Sequence, residues 1–132
     1  MRGRVAPRPG IESPYKGRTG LQRIGNAFCY SLDGFAAAFA VEDAFRQEVL
    51  LAAVLVPLAL YLPGAGAGKA LRVASVLLVL IVELLNSGIE AVTDRVSLED
   101  HALAKRAKDM GSAAVMLSLI TVPTVWLLVA FG

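Results

Sequence analysis

Glu83, Asn86, Glu90 and Asp94 lie within the stretch VELLNSGIEAVTDR, which directly continues an apolar run, VASVLLVLIV. On a helix advancing 100° per residue they fall at about 0°, 300°, 340° and 20°, so three carboxylates and a carboxamide share one narrow face. A charge near the centre of a bilayer costs about 2.5–3.5 kcal/mol on insertion scales, so such a stripe needs partners or a task. Oxygen donors of this kind suit Mg²⁺, which takes one or two carboxylates together with phosphate oxygens, or a proton transfer. Glu42, ahead of the preceding apolar run, sits at a similar depth, and Lys105, Arg106 and Lys108 offer positive charge for phosphate oxygens. The competing reading is structural: the acids pair with Arg95, Arg46 or Lys108 between helices.

The elements that must position these groups follow from composition. Of 132 residues, 56% are hydrophobic and 18% charged, far from an ordinary soluble surface. Uncharged runs cover 49–68, 73–82 and 110–132. The first and third are long enough to cross a bilayer, and the second is so only if its helix continues through the acidic stretch. The sequence therefore predicts an all-α integral membrane protein with spans at about 44–62, 69–96 and 105–131. Ahead of them, Leu21, Ile24, Phe28, Leu32, Phe35 and Phe39 recur at helical spacing, predicting an amphipathic surface helix over 20–40. Residues 1–19, rich in proline, glycine and basic side chains, read as a disordered tail. No secretory signal is visible there, and the single cysteine, Cys29, cannot form an internal disulfide.

Charge sets an expected topology. Seven Lys or Arg lie before the first span or at its start, where Arg46 is the last, four surround the loop between the second and third, and two, Lys69 and Arg72, lie at the turn into the second. The positive-inside rule then places the amino terminus and the second loop in the cytoplasm and the carboxyl terminus across the membrane. The net charge of +2 gives no case for nucleic acid. PGAGAGKA resembles a phosphate-binding loop only superficially, because Pro63 and Ala70 stand where glycine and a hydroxyl are required. Trp126 reads as an interface anchor, and Gly111, Ser112, Ala113 and Ala114 as small residues that let helices approach.

Three blocks, ELLNSGIEAVTD (83–94), AFRQE (44–48) and RAKDMGSAAV (106–115), closely resemble the small bacterial integral-membrane diacylglycerol kinases. The resemblance runs from Gly20 to the end of the chain with the blocks in order. It implies a homotrimer in the bacterial inner membrane, with composite active sites at the cytoplasmic face. It also implies transfer of the γ-phosphoryl of MgATP to the hydroxyl of 1,2-diacylglycerol, giving phosphatidate and ADP.

Carried over by position, the resemblance makes Glu83 the general base that takes the lipid hydroxyl's proton. Glu42 and Glu90 become the carboxylates that hold Mg²⁺ against the ATP phosphates, with Asn86 supporting them. Lys108 becomes the phosphate-binding lysine and Asp109 the residue that orients the cluster. Arg23, Tyr30, Glu99 and His101 resemble residues around the nucleotide, and Glu48 and Ser112 residues beside the lipid substrate. Gly88 and Thr93 depart from the family's usual residues, and both are expected off the polar face. Two other readings compete. Related kinases act on undecaprenol, although AFRQE, Asp94–Arg95 and DMGSAAV favour the diacylglycerol type. A small proton-coupled transporter also embeds a glutamate, but that reading predicts four spans and the acid in the first.

Overall fold

The structure, a computed structural model, describes the backbone of residues 20–96 and 101–132 and the side chains of 20–95 and 102–132. The expected tail over 1–19, Glu99 and the His101 side chain lie outside the described residues. Four helices follow in order: α1 (Leu21–Val41), α2 (Asp43–Tyr61), α3 (Gly66–Val96) and α4 (His101–Phe131). The chain forms two units that divide after Ala36; the first holds the body of α1 and the second the end of α1 with α2, α3 and α4.

Among the described residues three helices are long and apolar enough to cross a membrane: α1, α2 and Ala102–Phe131 of α4. A chain with several such helices is a multi-pass membrane protein. The set differs from the expected one: α3, which carries the expected span over 69–96, is not among them by length and composition, and α1, expected at the surface, is. α1 qualifies because its 21 residues carry only Arg23 and Asp33 as charges, so composition alone does not separate an interface helix from a span.

Two helices start earlier than the hydropathy pattern predicts. α3 opens at Gly66 because the Lys69 amide donates to the Ala65 carbonyl (3.1 Å) and closes a first turn ahead of the apolar run. α4 opens at His101 because HALAKRAKD, though polar, is built largely from strong helix formers. Between α2 and α3 the Leu62 amide donates to Leu58 (2.9 Å), and Pro63 then ends the helix. Gly64 follows at φ 149°, a region that side chains disfavour. Both Pro57 and Pro123 lie inside continuous helices, which membrane helices tolerate.

α3 packs along α4 and against α2, and its contact seam obeys a simple count. Arg72, Val76, Val79, Glu83, Asn86, Glu90 and Thr93 are separated by four, three, four, three, four and three residues, the 3.5 period of coiled-coil packing. All of them are buried except Glu90, which is half-buried. The acid stripe is therefore the polar end of one seam whose middle is valine and whose other end is an arginine. On α2 the buried residues Phe45, Ala52 and Ala59 repeat every seven. On α4 the buried Gly111 and Ser118 do the same, keeping the opposing surface small.

Both pairings are antiparallel. Trp126 Nε1, late in α4, donates to Ser75 Oγ, early in α3 (3.2 Å), while Lys108, early in α4, pairs with Asp94, late in α3. Arg72 reaches back to the end of α2. Its Nη1 donates to the Ala59 and Leu62 carbonyls (3.2 and 3.3 Å) and its Nη2 to that of Pro63 (2.9 Å). Lys69 Nζ adds a bond to Leu60 (2.9 Å), so both basic residues of the turn cap the orphan carbonyls of α2.

Candidate active site

The carboxyl-terminal half of α3 grades from buried to wet. Glu83 is 5% exposed, Asn86 9%, Glu90 is half-buried, and Asp94 is exposed. Thr93 corrects the expectation that it lies off the polar face: ten residues after Glu83 it returns to about 280°, beside Asn86, and it is buried. Its hydroxyl donates to the Glu90 carbonyl (3.1 Å), so it is satisfied within its own helix.

The carboxylates of Glu90 and Glu42 are near enough for their charges to act on Glu83, and Glu83 in turn acts on Glu48. Glu42 is the N-cap residue of α2 but makes no side-chain cap bond, which leaves its carboxylate available. Among the described residues, no lysine or arginine forms an ion pair with Glu42, Glu48, Glu83 or Glu90. Arg46 pairs with Asp43 and donates to the Phe39 and Ala40 carbonyls (2.9 and 3.0 Å) at the end of α1. The structural reading of the stripe therefore accounts for Asp94, which pairs with Lys108, and leaves the deeper acids without a cation.

Lys108 belongs to this neighbourhood, since the charge of Glu90 also acts on it. Its pairing with Asp94 is between side chains 42% and 63% exposed, and such pairs stabilise by about 0–1 kcal/mol. Asp94→Asn is thus expected to shift unfolding by less than about 1 kcal/mol, checked by denaturation in detergent micelles. A loss of several kcal/mol would show that the pair is buried in the working protein.

Other expected residues are placed differently. Asp109 pairs with Lys105 one turn away on α4 (2.6 Å) and is exposed, so in a single chain it does not reach the acid cluster. Ser112 is exposed as well. Glu48 is half-buried, with Oε2 enclosed and lacking a hydrogen-bond partner; it lines a cavity of about 230 Å³ otherwise walled by Leu51, Ala52, Leu55 and side chains of α3 and α4. Arg23 and Tyr30 lie on α1 in the first unit, both on its exposed surface.

The amide Nδ2 of Asn86 approaches Glu90 Oε1 at 3.4 Å, which holds one carboxylate oxygen and leaves the other for a ligand. The donor set is all oxygen, and among the described residues no group of three or more potential ligands gathers. All-oxygen donors would suit Mg²⁺, which takes one or two carboxylates together with water and phosphate oxygens. Sequence reading missed Arg72 as a buried clamp. The four-three spacing from Arg72 to Thr93 was the signal that places it on the same seam as the acids.

Residues 29–130 match the family model described as prokaryotic diacylglycerol kinase. Among curated proteins, the chain is 57% identical over 120 residues to a diacylglycerol kinase of Pseudomonas aeruginosa, covering 91% of this chain and 98% of that protein. It is 47% identical over 108 residues to the diacylglycerol kinase of Escherichia coli K12, covering 82% and 88%. A diacylglycerol kinase of Helicobacter pylori is 42% identical over 116 residues, covering 88% and 90%. With a family model matched over residues 29–130 and relatives this similar over most of both chains, the chain belongs to the prokaryotic diacylglycerol kinase family.

Proposed function

We propose that this protein is an ATP-dependent lipid kinase that moves the γ-phosphoryl of MgATP onto the hydroxyl of 1,2-diacylglycerol, giving phosphatidate and ADP. The observation that carries the reading is Glu83, buried in the α3 seam, under the charges of Glu90 and Glu42, and without a lysine or arginine partner among the described residues. Such a carboxylate, unneutralised at membrane depth, is placed to act rather than to brace. The relatives' names supply the lipid, and with them the undecaprenol alternative and the transporter reading fall away.

In this reading Glu83 takes the proton of the lipid hydroxyl, whose oxygen bonds to the γ-phosphorus as the bond from phosphorus to the ADP oxygen breaks. Glu90 and Glu42 hold Mg²⁺, which neutralises phosphate charge when bound, and Asn86 fixes the Glu90 carboxylate. Lys108 exchanges its weak pairing with Asp94 for phosphate oxygens. Positioning and charge neutralisation are what phosphoryl transfer chiefly needs, so no glycine-rich loop is required.

The active unit is a homotrimer with composite sites. Two observations support this: Asp109 and Ser112 do not join the acid cluster within one chain, and large apolar side chains such as Leu85, Met116, Leu117 and Leu128 stay exposed on it. Arg23, Tyr30, Glu99 and His101 are the residues that the family resemblance assigns to the nucleotide. α1 lies in the interface with its aromatic residues toward lipid, and α3 crosses the membrane with its acid end on the cytoplasmic side of the inner membrane.

The test is labelled phosphoryl transfer from MgATP by the purified protein in mixed micelles, offered diacylglycerol and, separately, undecaprenol. Labelling of diacylglycerol supports the reading, and failure to label it from folded protein sinks it. Glu90→Gln is expected to raise the Mg²⁺ concentration needed for half-maximal rate by about 10–100-fold, the usual effect of loosening a metal's carboxylates. An unchanged Mg²⁺ titration would remove Glu90 from the metal.

A further inference from the structure

The seam between α3 and α4 is closest where Gly111 faces Asn86. A methyl group built on Gly111 would overlap Asn86 Oδ1 and stand 3.3 Å from its Cγ. The same Oδ1 is buried and accepts no hydrogen bond. Orientation of the carboxamide is fixed by chemistry: a carboxylate only accepts, so the nitrogen must be the end that meets Glu90, 3.4 Å away, and the oxygen must be the end turned to Gly111. With neither end free to exchange, the missing side chain at Gly111 is what lets the amide lie in this direction.

We infer that Gly111 is a positioning residue: by leaving room for the Asn86 oxygen it aims the Asn86 amide at Glu90 and so sets the carboxylate that receives Mg²⁺. This rests on the reading of Glu90 as a metal-binding carboxylate. A methyl at Gly111 meets a side-chain tip rather than backbone, so the easiest relief is rotation of the carboxamide away from Glu90. Rotation frees Oδ1 but leaves Cγ 3.3 Å from the added methyl, so the Asn86 side chain also gives by a few tenths of an ångström; its Cβ, at 3.9 Å, is in ordinary contact and the helices need not part. The consequence is a selective one: the fold survives and the metal carboxylate loses its anchor.

The test is a double-mutant cycle read by binding. Mn²⁺, a paramagnetic substitute for Mg²⁺, is titrated onto the full-length protein with a non-hydrolysable ATP analogue and followed by electron paramagnetic resonance. Gly111→Ala and Asn86→Ala are each expected to weaken Mn²⁺ binding by about 10–100-fold, and together by no more than Asn86→Ala alone. The KM for MgATP rises in step while thermal unfolding of Gly111→Ala shifts little, a split that a merely structural glycine does not produce. Multiplying effects, or unchanged Mn²⁺ affinity in Gly111→Ala, overturn the inference. If Gly111→Ala alone does not fold, the double variant decides: folding with the affinity of Asn86→Ala supports the clash, and failure to fold overturns it. Glu90→Gln is the separate control, since unchanged Mn²⁺ affinity there refutes the metal reading itself.

Discussion

Glu83→Gln is expected to slow phosphoryl transfer by about 1,000-fold while the protein folds and binds MgATP as before. Glutamine keeps the size and hydrogen-bonding reach of glutamate but cannot take a proton at neutral pH, so the change isolates the base from the shape. Burial sharpens the prediction. Glu83 is 5% exposed and feels the charges of Glu90 and Glu42, so the neutral amide relieves repulsion and desolvation in the resting protein. Stability in detergent should hold or rise, and the nucleotide, held by other groups, should bind with unchanged affinity. The measurement is single-turnover transfer to diacylglycerol beside calorimetric binding of MgATP. Transfer within tenfold of the unaltered protein would show that the hydroxyl proton leaves by another route and that Glu83 serves only to shape the pocket. Loss of MgATP binding would instead move Glu83 to the nucleotide side of the site.

What the sequence revealed of this site, and what it did not, follows from which distances are local. Glu83, Asn86, Glu90 and Asp94 share a face because they share a helix, and helical spacing is legible in one dimension. The partner of each is not. Lys108 could have met Glu83, Glu90 or Asp94, and only the antiparallel register of α3 and α4 selects Asp94. Asp109, adjacent to Lys108 in sequence, points about 100° around α4 and meets Lys105 instead. Arg72 reads from sequence as charge at the start of the second span, and nothing in one dimension shows that its guanidinium turns back to α2. Its helix in fact begins six residues earlier, and the seam period carries Arg72 inward. Small residues at 111 to 114 announced close packing, but only the opposing atoms separate Gly111, which meets Asn86, from Ser112, Ala113 and Ala114, which are exposed. α1, expected from its pattern to be a surface helix, shows the limit from the other side: with two charges in 21 residues it satisfies the length and composition of a span.

Arg72→Met is expected to destabilise the folded protein by about 3–4 kcal/mol. Arg72 is 3% exposed, and its guanidinium donates to three carbonyls, Ala59, Leu62 and Pro63, from two of its nitrogens. Bonds from a charged donor contribute about 1.5–3 kcal/mol each, but three made by one group are not additive, which holds the sum below the simple total. Methionine fills the volume of the stem and so removes the donors without opening a large cavity. The buried Ala59 carbonyl is then left with nothing to bond it, and those of Leu62 and Pro63 lose their donor. Arg72→Lys should recover only part of the loss, because one ammonium cannot reproduce a planar fork spanning Ala59 and Pro63. The check is reversible unfolding in detergent micelles, with transfer assayed on the folded fraction. Glu83 lies eleven residues along α3, about 16 Å by helical rise, so that fraction should keep its turnover. Destabilisation below about 1 kcal/mol would mean that water or lipid headgroups already satisfy those carbonyls and that Arg72 is not what holds α2 to α3.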